Sequence, residues 1–217
     1  MQDDSGLKKI LTLSWAYTLF KRALGNRRAY EWMNREFWRT KPGQKVVDIG
    51  CGPGIVLRYL PEDIRYVGFD VSEEYIGHAR KAYAGDSRRT FLVGNSETFA
   101  RQLPASMADA DLVLINGVLH HLDDAEALTA LRLARACLRP GGRLVSYENC
   151  LLRSQAPLAR WFVSRDRGRN LRYESEWKQL FAEVFEEFET HVLTGLIRIP
   201  YTHIVTEARA PGTMPLA

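Results

Sequence analysis

At 217 residues, with 46% hydrophobic and 26% charged side chains, the chain has the size and balance of one α/β domain that needs no disulfide or metal staple. A net charge of +4 is too mild to call for a nucleic-acid partner. No apolar run approaches the roughly 18 residues of a membrane span. The three cysteines, Cys51, Cys137 and Cys150, form no C-x-x-C pair, and the start of the chain, with Asp3 and Asp4, lacks a signal-peptide layout. Both points lead to the expectation of reduced thiols in the cytoplasm.

In chain order, residues 1–41 read as a helical cap. Leu7, Ile10, Leu11, Leu13, Tyr17, Phe20 and Leu24 recur at helical spacing, Gly25-Asn26 marks a stop, and Ala29 to Trp38 reads as a second helix. The cap is rich in aromatic and basic residues. Three readings stay open: a cap with solvated charges, a lid over a ligand crevice, or an interfacial helix making peripheral membrane contact. From residue 45, strands at 45–49, 65–69, 90–94, 110–115 and 142–147 alternate with helices at about 54–60, 73–83, 96–102 and 124–138, the pattern of a mostly parallel, doubly wound sheet. Arg139-Pro140-Gly141-Gly142 closes the fourth crossover. The rhythm then breaks. Residues 150–173 form an arginine-rich insertion, followed by a helix at 174–185 and strands at 187–193 and 199–208; the tail, 211–217, is expected to fray.

The stretch Val46-Val47-Asp48-Ile49-Gly50-Cys51-Gly52-Pro53-Gly54 has the form strand, glycine turn, helix. Such a turn is expected to set bare backbone N–H groups beside a crevice, at the carboxyl end of a strand where open sheets bind ligands. A dinucleotide fingerprint fails because Ile55 stands at its third glycine, and a P-loop fails because no Gly-Lys-Ser/Thr follows. Asp70 closes the second strand, where a carboxylate can accept from ribose hydroxyls, with Ser72 available as the cap of the next helix. Gly94-Asn95-Ser96-Glu97 follows strand three, and Asn95 or Ser96 can cap a helix there. Asn116-Gly117-Val118-Leu119-His120-His121 follows strand four. A histidine at that place can take a proton from an acceptor, or can simply orient the loop. No acid ends strand four and Asp123-Asp124 reads as a helix start, so no metal site is expected.

These elements, over about residues 42–148, resemble the class I S-adenosylmethionine (SAM) dependent methyltransferases. The first matches the pattern V-x-D-x-G-C-G-x-G, and Val118-Leu119-His120-His121-Leu122 resembles the UbiE/Coq5-like (type 11, 12 and 25) group. The resemblance implies a seven-stranded sheet of order 3-2-1-4-5-7-6 over residues 42–210. It also implies SAM as cofactor, S-adenosylhomocysteine (SAH) as product, and no metal. Carried over position by position, the cofactor residues are Asp48, Gly50, Cys51, Gly52, Gly54, Asp70, Val71, Asn95, Ser96, Asn116, Gly117 and Val118. Asn95 departs from the family's usual Asp at the adenine amine. His120 and His121 are candidate bases, and Tyr17, Tyr30 and Trp161 candidate acceptor-pocket residues. The expected reaction is methylation of oxygen or nitrogen on a small molecule: a metabolite, a lipid or quinone, or a glycan precursor. A nucleic-acid methyltransferase is the alternative motivated by the basic arms at 21–39 and 153–172. Against it, the chain has no Asn/Asp-Pro-Pro-Tyr motif and no Pro-Cys nucleophile. A SAM-binding protein without turnover is the third reading. The sequence does not fix the oligomeric state.

Overall fold

The computed structural model describes residues 26–153, 170–195 and 202–212. The first expected helix with Tyr17, the central part of the insertion with Trp161, and the end of the tail lie outside the described residues. Helix α1 (Asn26–Met33) runs into one wider π-helical turn, Asn34–Trp38. That turn is closed by Arg39 in the left-handed region (φ 43°), whose N–H reaches back five residues to the Asn34 carbonyl. The Asn34 side chain fixes the exit: its amide donates to the Tyr59 carbonyl at 2.6 Å and its oxygen accepts from the Thr40 hydroxyl at 2.8 Å.

Strands β1 (Lys45–Ile49), β2 (Arg65–Asp70), β3 (Arg89–Val93), β4 (Ala110–Asn116) and β5 (Leu138–Leu151) form the parallel part of one sheet. A two-residue strand β6 (Arg172–Tyr173) pairs with the end of β5, and β7 (Glu187–Thr194) and β8 (Thr202–Arg209) complete the sheet. The order is β3-β2-β1-β4-β5-β8-β7, with β8 antiparallel to both its neighbours. Setting aside β6, which the sequence did not suggest, this is the expected 3-2-1-4-5-7-6. Helices α2 (Glu73–Ala82), α3 (Ser96–Arg101), α4 (Asp124–Cys137) and α5 (Glu174–Ala182) fill the connections. Two local expectations change. The expected helix at 54–60 is a 3-10 helix, Ile55–Tyr59. Strand β5 begins directly at Leu138, with Arg139 to Gly142 bulging out as its register against β4 jumps from Ala110↔Leu138 to Leu112↔Arg143.

Strand alternation gives the sheet two faces. On one, Val46, Tyr66, Leu112, Leu114, Val145 and Val205 pack under Met33, Phe37 and Trp38 of the cap. On the other, Val47, Phe69, Ile115, Leu144 and Ile204 pack against α4 and α5 through Leu131, Trp177 and Phe181. The cap is also tied by charge. The Arg143 guanidinium on β5 donates to the carbonyl of Phe37 at 2.6 Å and to that of Trp38, and lies 3.4 Å from the Glu207 carboxylate, which also pairs with Arg39. Burial, with Arg39 beside it, lowers Arg143 to about 10. Two helix-end carbonyls held by one half-buried cation make Arg143 the latch of the cap. Arg143→Ala is expected to cost about 2–4 kcal/mol by urea unfolding. Trypsin should also cut within residues 26–39 sooner than in the parent protein.

Candidate functional site

The glycine turn is held differently from the sequence expectation. Its N–H groups are not bare. Gly50 and Cys51 both donate to the Phe69 carbonyl at 2.9 Å, Gly52 donates to Asp70 Oδ2 at 2.9 Å, and Gly54 donates to the Cys51 carbonyl at 3.1 Å. The cause is the parallel pairing of β1 with β2, which brings the end of β2 alongside the turn as a ready set of acceptors. Gly50 is obligatory: at φ 73° a Cβ there would lie 2.4 Å from a methyl of Val118. Through that contact the turn after β1 and the loop after β4 press together. At Gly52 (φ 53°) a Cβ would meet no atom within 4 Å, so this glycine presents open backbone.

Beneath the turn, Asp48 is 1% exposed, and the Tyr66 hydroxyl donates to its Oδ2 at 2.7 Å. Burial raises its carboxyl to about 7, against the lowering effect of the Tyr66 bond. Cys51 is buried beside it, which pushes its thiol up. Asp70 is half-buried, with Oδ2 accepting from Gly52 and Oδ1 from the Ser72 N–H at 2.9 Å; Ser72 itself caps α2, accepting from Tyr75 at 3.2 Å. Val71 next to it is 71% exposed, the most exposed large apolar side chain among the described residues. Asn95 caps α3, its Oδ1 accepting from the Thr98 N–H at 2.8 Å, and Ser96 begins that helix.

The loop after β4 is pinned from both ends. Glu148, 1% exposed on β5, accepts through Oε1 from the N–H groups of Val118 and Leu119, both at 3.0 Å. Its Oε2 accepts from the His120 N–H at 3.3 Å and lies 2.5 Å from His120 Nδ1. These donors open the short 3-10 helix Leu119–His121. At its other end the buried Arg172 donates to the carbonyls of Leu119 at 3.0 Å and Leu122 at 2.9 Å, pairs with Asp124, and lies 4.9 Å over the Trp177 ring. A carboxylate on the helix N-terminus and a guanidinium on its last carbonyls complement the local dipole at both ends. Of the two candidate bases, His120 is 5% exposed and engaged with Glu148, while His121 is exposed with its ring 4.1 Å from that of His120. Tyr30 stacks on Tyr59 at 5.0 Å and lies 5.9 Å from Trp38. Sequence reasoning missed Glu148 and Arg172. The signal for Glu148 was parity, since an acid shares the core-facing set with Leu144 and Cys150. Arg172 was read only as one member of a basic run.

Residues 47–144 match a family model described as a methyltransferase domain. The chain is 31% identical over 121 residues to 27-O-demethylrifamycin SV methyltransferase of Amycolatopsis mediterranei, covering 54% of this chain and 43% of that protein. It is 29% identical over 133 residues to an uncharacterised methyltransferase of Synechocystis sp., covering 59% of each. The chain thus spans about half the length of these curated relatives. Among solved structures, the pyocyanin biosynthetic protein PhzM superposes with a TM-score of 0.73 at 20% identity, covering 96% of this chain and 63% of that one. Over the matched stretch these likenesses support a class I SAM-dependent methyltransferase domain, and the strand order is that of the superposed fold.

Two outcomes test the site's construction. The folded carboxyl of Asp48, about 7, lies above its ordinary 3.8. Between those values the folded protein keeps a proton that the unfolded chain has released, so the Asp48 contribution to stability is full below about pH 4 and lost as pH rises through about 7. Asp48→Asn, which keeps an acceptor for Tyr66, should remove this slope. Its advantage over the parent in urea unfolding should grow to on the order of 3 kcal/mol at pH 8. Glu148→Leu strands three N–H groups and should cost about 3–5 kcal/mol, whereas Glu148→Gln, which can still accept, should cost less than half of that.

Proposed function

We propose that the protein transfers the methyl group of SAM to an oxygen or nitrogen atom of a small-molecule acceptor, with no metal involved. The observation that carries this reading is the polarity of the glycine turn. All four glycine-turn donors that would hold a phosphate are used within the protein, while two carboxylates, Asp48 and Asp70, stand beneath and beside the open backbone of Gly52. That environment favours a ligand carrying positive charge over a phosphate-bearing nucleotide. SAM carries an ammonium and a sulfonium.

The residues present fit the cofactor. Gly50 and Gly52 let its methionine part lie against backbone. Asp70, pre-oriented by Gly52 and Ser72, keeps further lone pairs on both oxygens for the ribose hydroxyls. Val71 would offer an exposed apolar face to the adenine, and Asn95 or Ser96 would supply polar contacts to it. SAM supplies a methyl group already activated on sulfur, so the protein's work is alignment of the acceptor with the S–CH3 axis and exclusion of water. Glu148 and Arg172 hold the loop that borders this space, and the Glu148 bond gives His120 an orienting role in it.

The rifamycin relative and the pyocyanin biosynthetic neighbour, by their names, support a small metabolite as acceptor. No helix among the described residues is long and apolar enough to cross a membrane. Asp70→Ala should weaken SAM binding about 10- to 150-fold in calorimetry, the equivalent of one charge-assisted contact worth about 1.5–3 kcal/mol. Unchanged affinity would remove Asp70 from the cofactor site.

A further inference from the structure

Helix α1 and its π turn bury Ala29, Met33 and Phe37 and leave Arg28, Trp32 and Arg35 on another face, spaced four and three residues apart. That face borders a groove of about 530 Å³, whose other wall is Leu193, Thr194 and Gly195 at and just past the end of β7. The volume is that of a small-molecule site. Trp32 and Leu193 are its large apolar walls, both packed against the cap-side core. Trp32 stands edge-on to Phe37, ring centroids 5.3 Å apart, and Phe37 lies 5.2 Å from the ring of His191 on β7. A run of ring contacts thus fixes one wall of the groove to the strand that forms the other.

The mouth of the groove is positive. Glu31, the acid among its described lining residues, accepts from Arg27 Nε at 2.9 Å, so its charge is offset. Arg35 spends its Nε on Glu36, at 2.6 Å, and Arg28 pairs with no carboxylate among the described residues. Both arginines are exposed. The groove also opens on the ligand-binding edge of the sheet. Strand β8 is antiparallel to both neighbours, so β7 runs with β5 and ends at the carboxyl edge. Three strand spacings, roughly 14 Å, separate that end from the end of β4, which sets the groove apart from the glycine turn and Asp70.

We infer that this groove is a second small-molecule site, and that its ligand is a planar aromatic ring bearing an oxyanion, whether carboxylate, sulfate or phosphate. The ring lies against Trp32 and Leu193; Trp32 is already held in place, so little freedom is lost on binding. The oxyanion is met by Arg28 and Arg35, about 6 Å and about 4.5 Å along the helix from Trp32. A guanidinium pairs with an oxyanion through two parallel N–H bonds and also stacks on rings. A neutral ring forfeits the cations, and an anion without a ring leaves the apolar walls uncovered.

Anilinonaphthalene sulfonate has this chemistry, and phenylnaphthylamine is the same ring system without the charge. Titrated into the SAH-saturated protein and followed by fluorescence, the sulfonate should saturate at one per chain and bind about tenfold tighter than the amine. The double variant Arg28→Gln/Arg35→Gln changes two exposed side chains and should fold as the parent does. In it the sulfonate affinity should fall about tenfold, while the amine affinity and the SAH dissociation constant stay within about threefold. Trp32→Leu should weaken both probes. No saturable sulfonate binding, equal affinity of the two probes for the parent, or unchanged sulfonate affinity in the double variant would overturn the inference. A loss of SAH affinity beyond about tenfold in the double variant would place the arginines at the cofactor and overturn it equally. Failure of the parent protein to bind SAH is a separate result: it removes the methyltransferase reading, and the same titration on the free protein still tests the groove.

Discussion

The carboxylate of Glu148 is the interaction on which the geometry of the crevice depends. One buried acid accepts three successive N–H groups and faces a histidine nitrogen, so the turn from β4 into the 3-10 helix has a single low-energy path. Leaving those donors unmet in a closed interior would use up a large share of a domain's usual margin of about 5–15 kcal/mol. Because β5 carries Glu148 and also pairs with β4, the same strand that builds the sheet fixes the loop. Arg172 closes the other end of the 3-10 helix, which ties the chain after residue 169 to the crevice as well. Val118, held this way, then fixes Gly50 from across the crevice. The two ligand-facing turns are therefore one mechanical unit, and neither can shift without the other.

The glycine turn illustrates how a familiar pattern can be read with the wrong charge. Strand, glycines and helix suggest an anion cradle when the donors are free. Here the end of β2 takes three of the four, and the ends of β1 and β2 place two carboxylates close to the same backbone. Asp48 adds to this in an unusual way. Burial raises its carboxyl to about 7, well above the ordinary carboxylate range. A turn whose donors are spent and which lies beside two carboxylates offers no anion cradle.

What was legible in the sequence follows from locality. Apolar runs closed by Asp48, Asp70 and Asn116 mark strand ends, because period and turn chemistry act over a few residues. The capping role of Ser72 was likewise visible in its own neighbourhood. The strand order came from resemblance, and the structure has it. What stayed hidden depends on separation in the chain. Glu148 meets Val118 thirty residues away, Arg172 meets Leu119 fifty-three residues away, and Arg143 meets Phe37 across one hundred and six. A glycine donor satisfied by Phe69 cannot be told from a free one without knowing that β2 lies alongside. The exit of the cap through a π turn is set by Asn34 reaching Tyr59, again a tertiary contact.

The parity of β4 and β5 divides the labour between the two faces of the sheet. On the face covered by α4 and α5, polar groups at the strand ends satisfy one another: Glu148 takes the loop, and Arg172 takes its last carbonyls. On the cap side, Asn116 ends β4 in register with Tyr147 of β5. This division leaves the rigid support of the loop on the α4 and α5 side. It also gives the adjacent histidines a physical meaning. Both are candidate bases by sequence, but the short 3-10 helix turns His120 toward Glu148. The opposite face of the sheet is covered by the cap, which Arg143 holds in place.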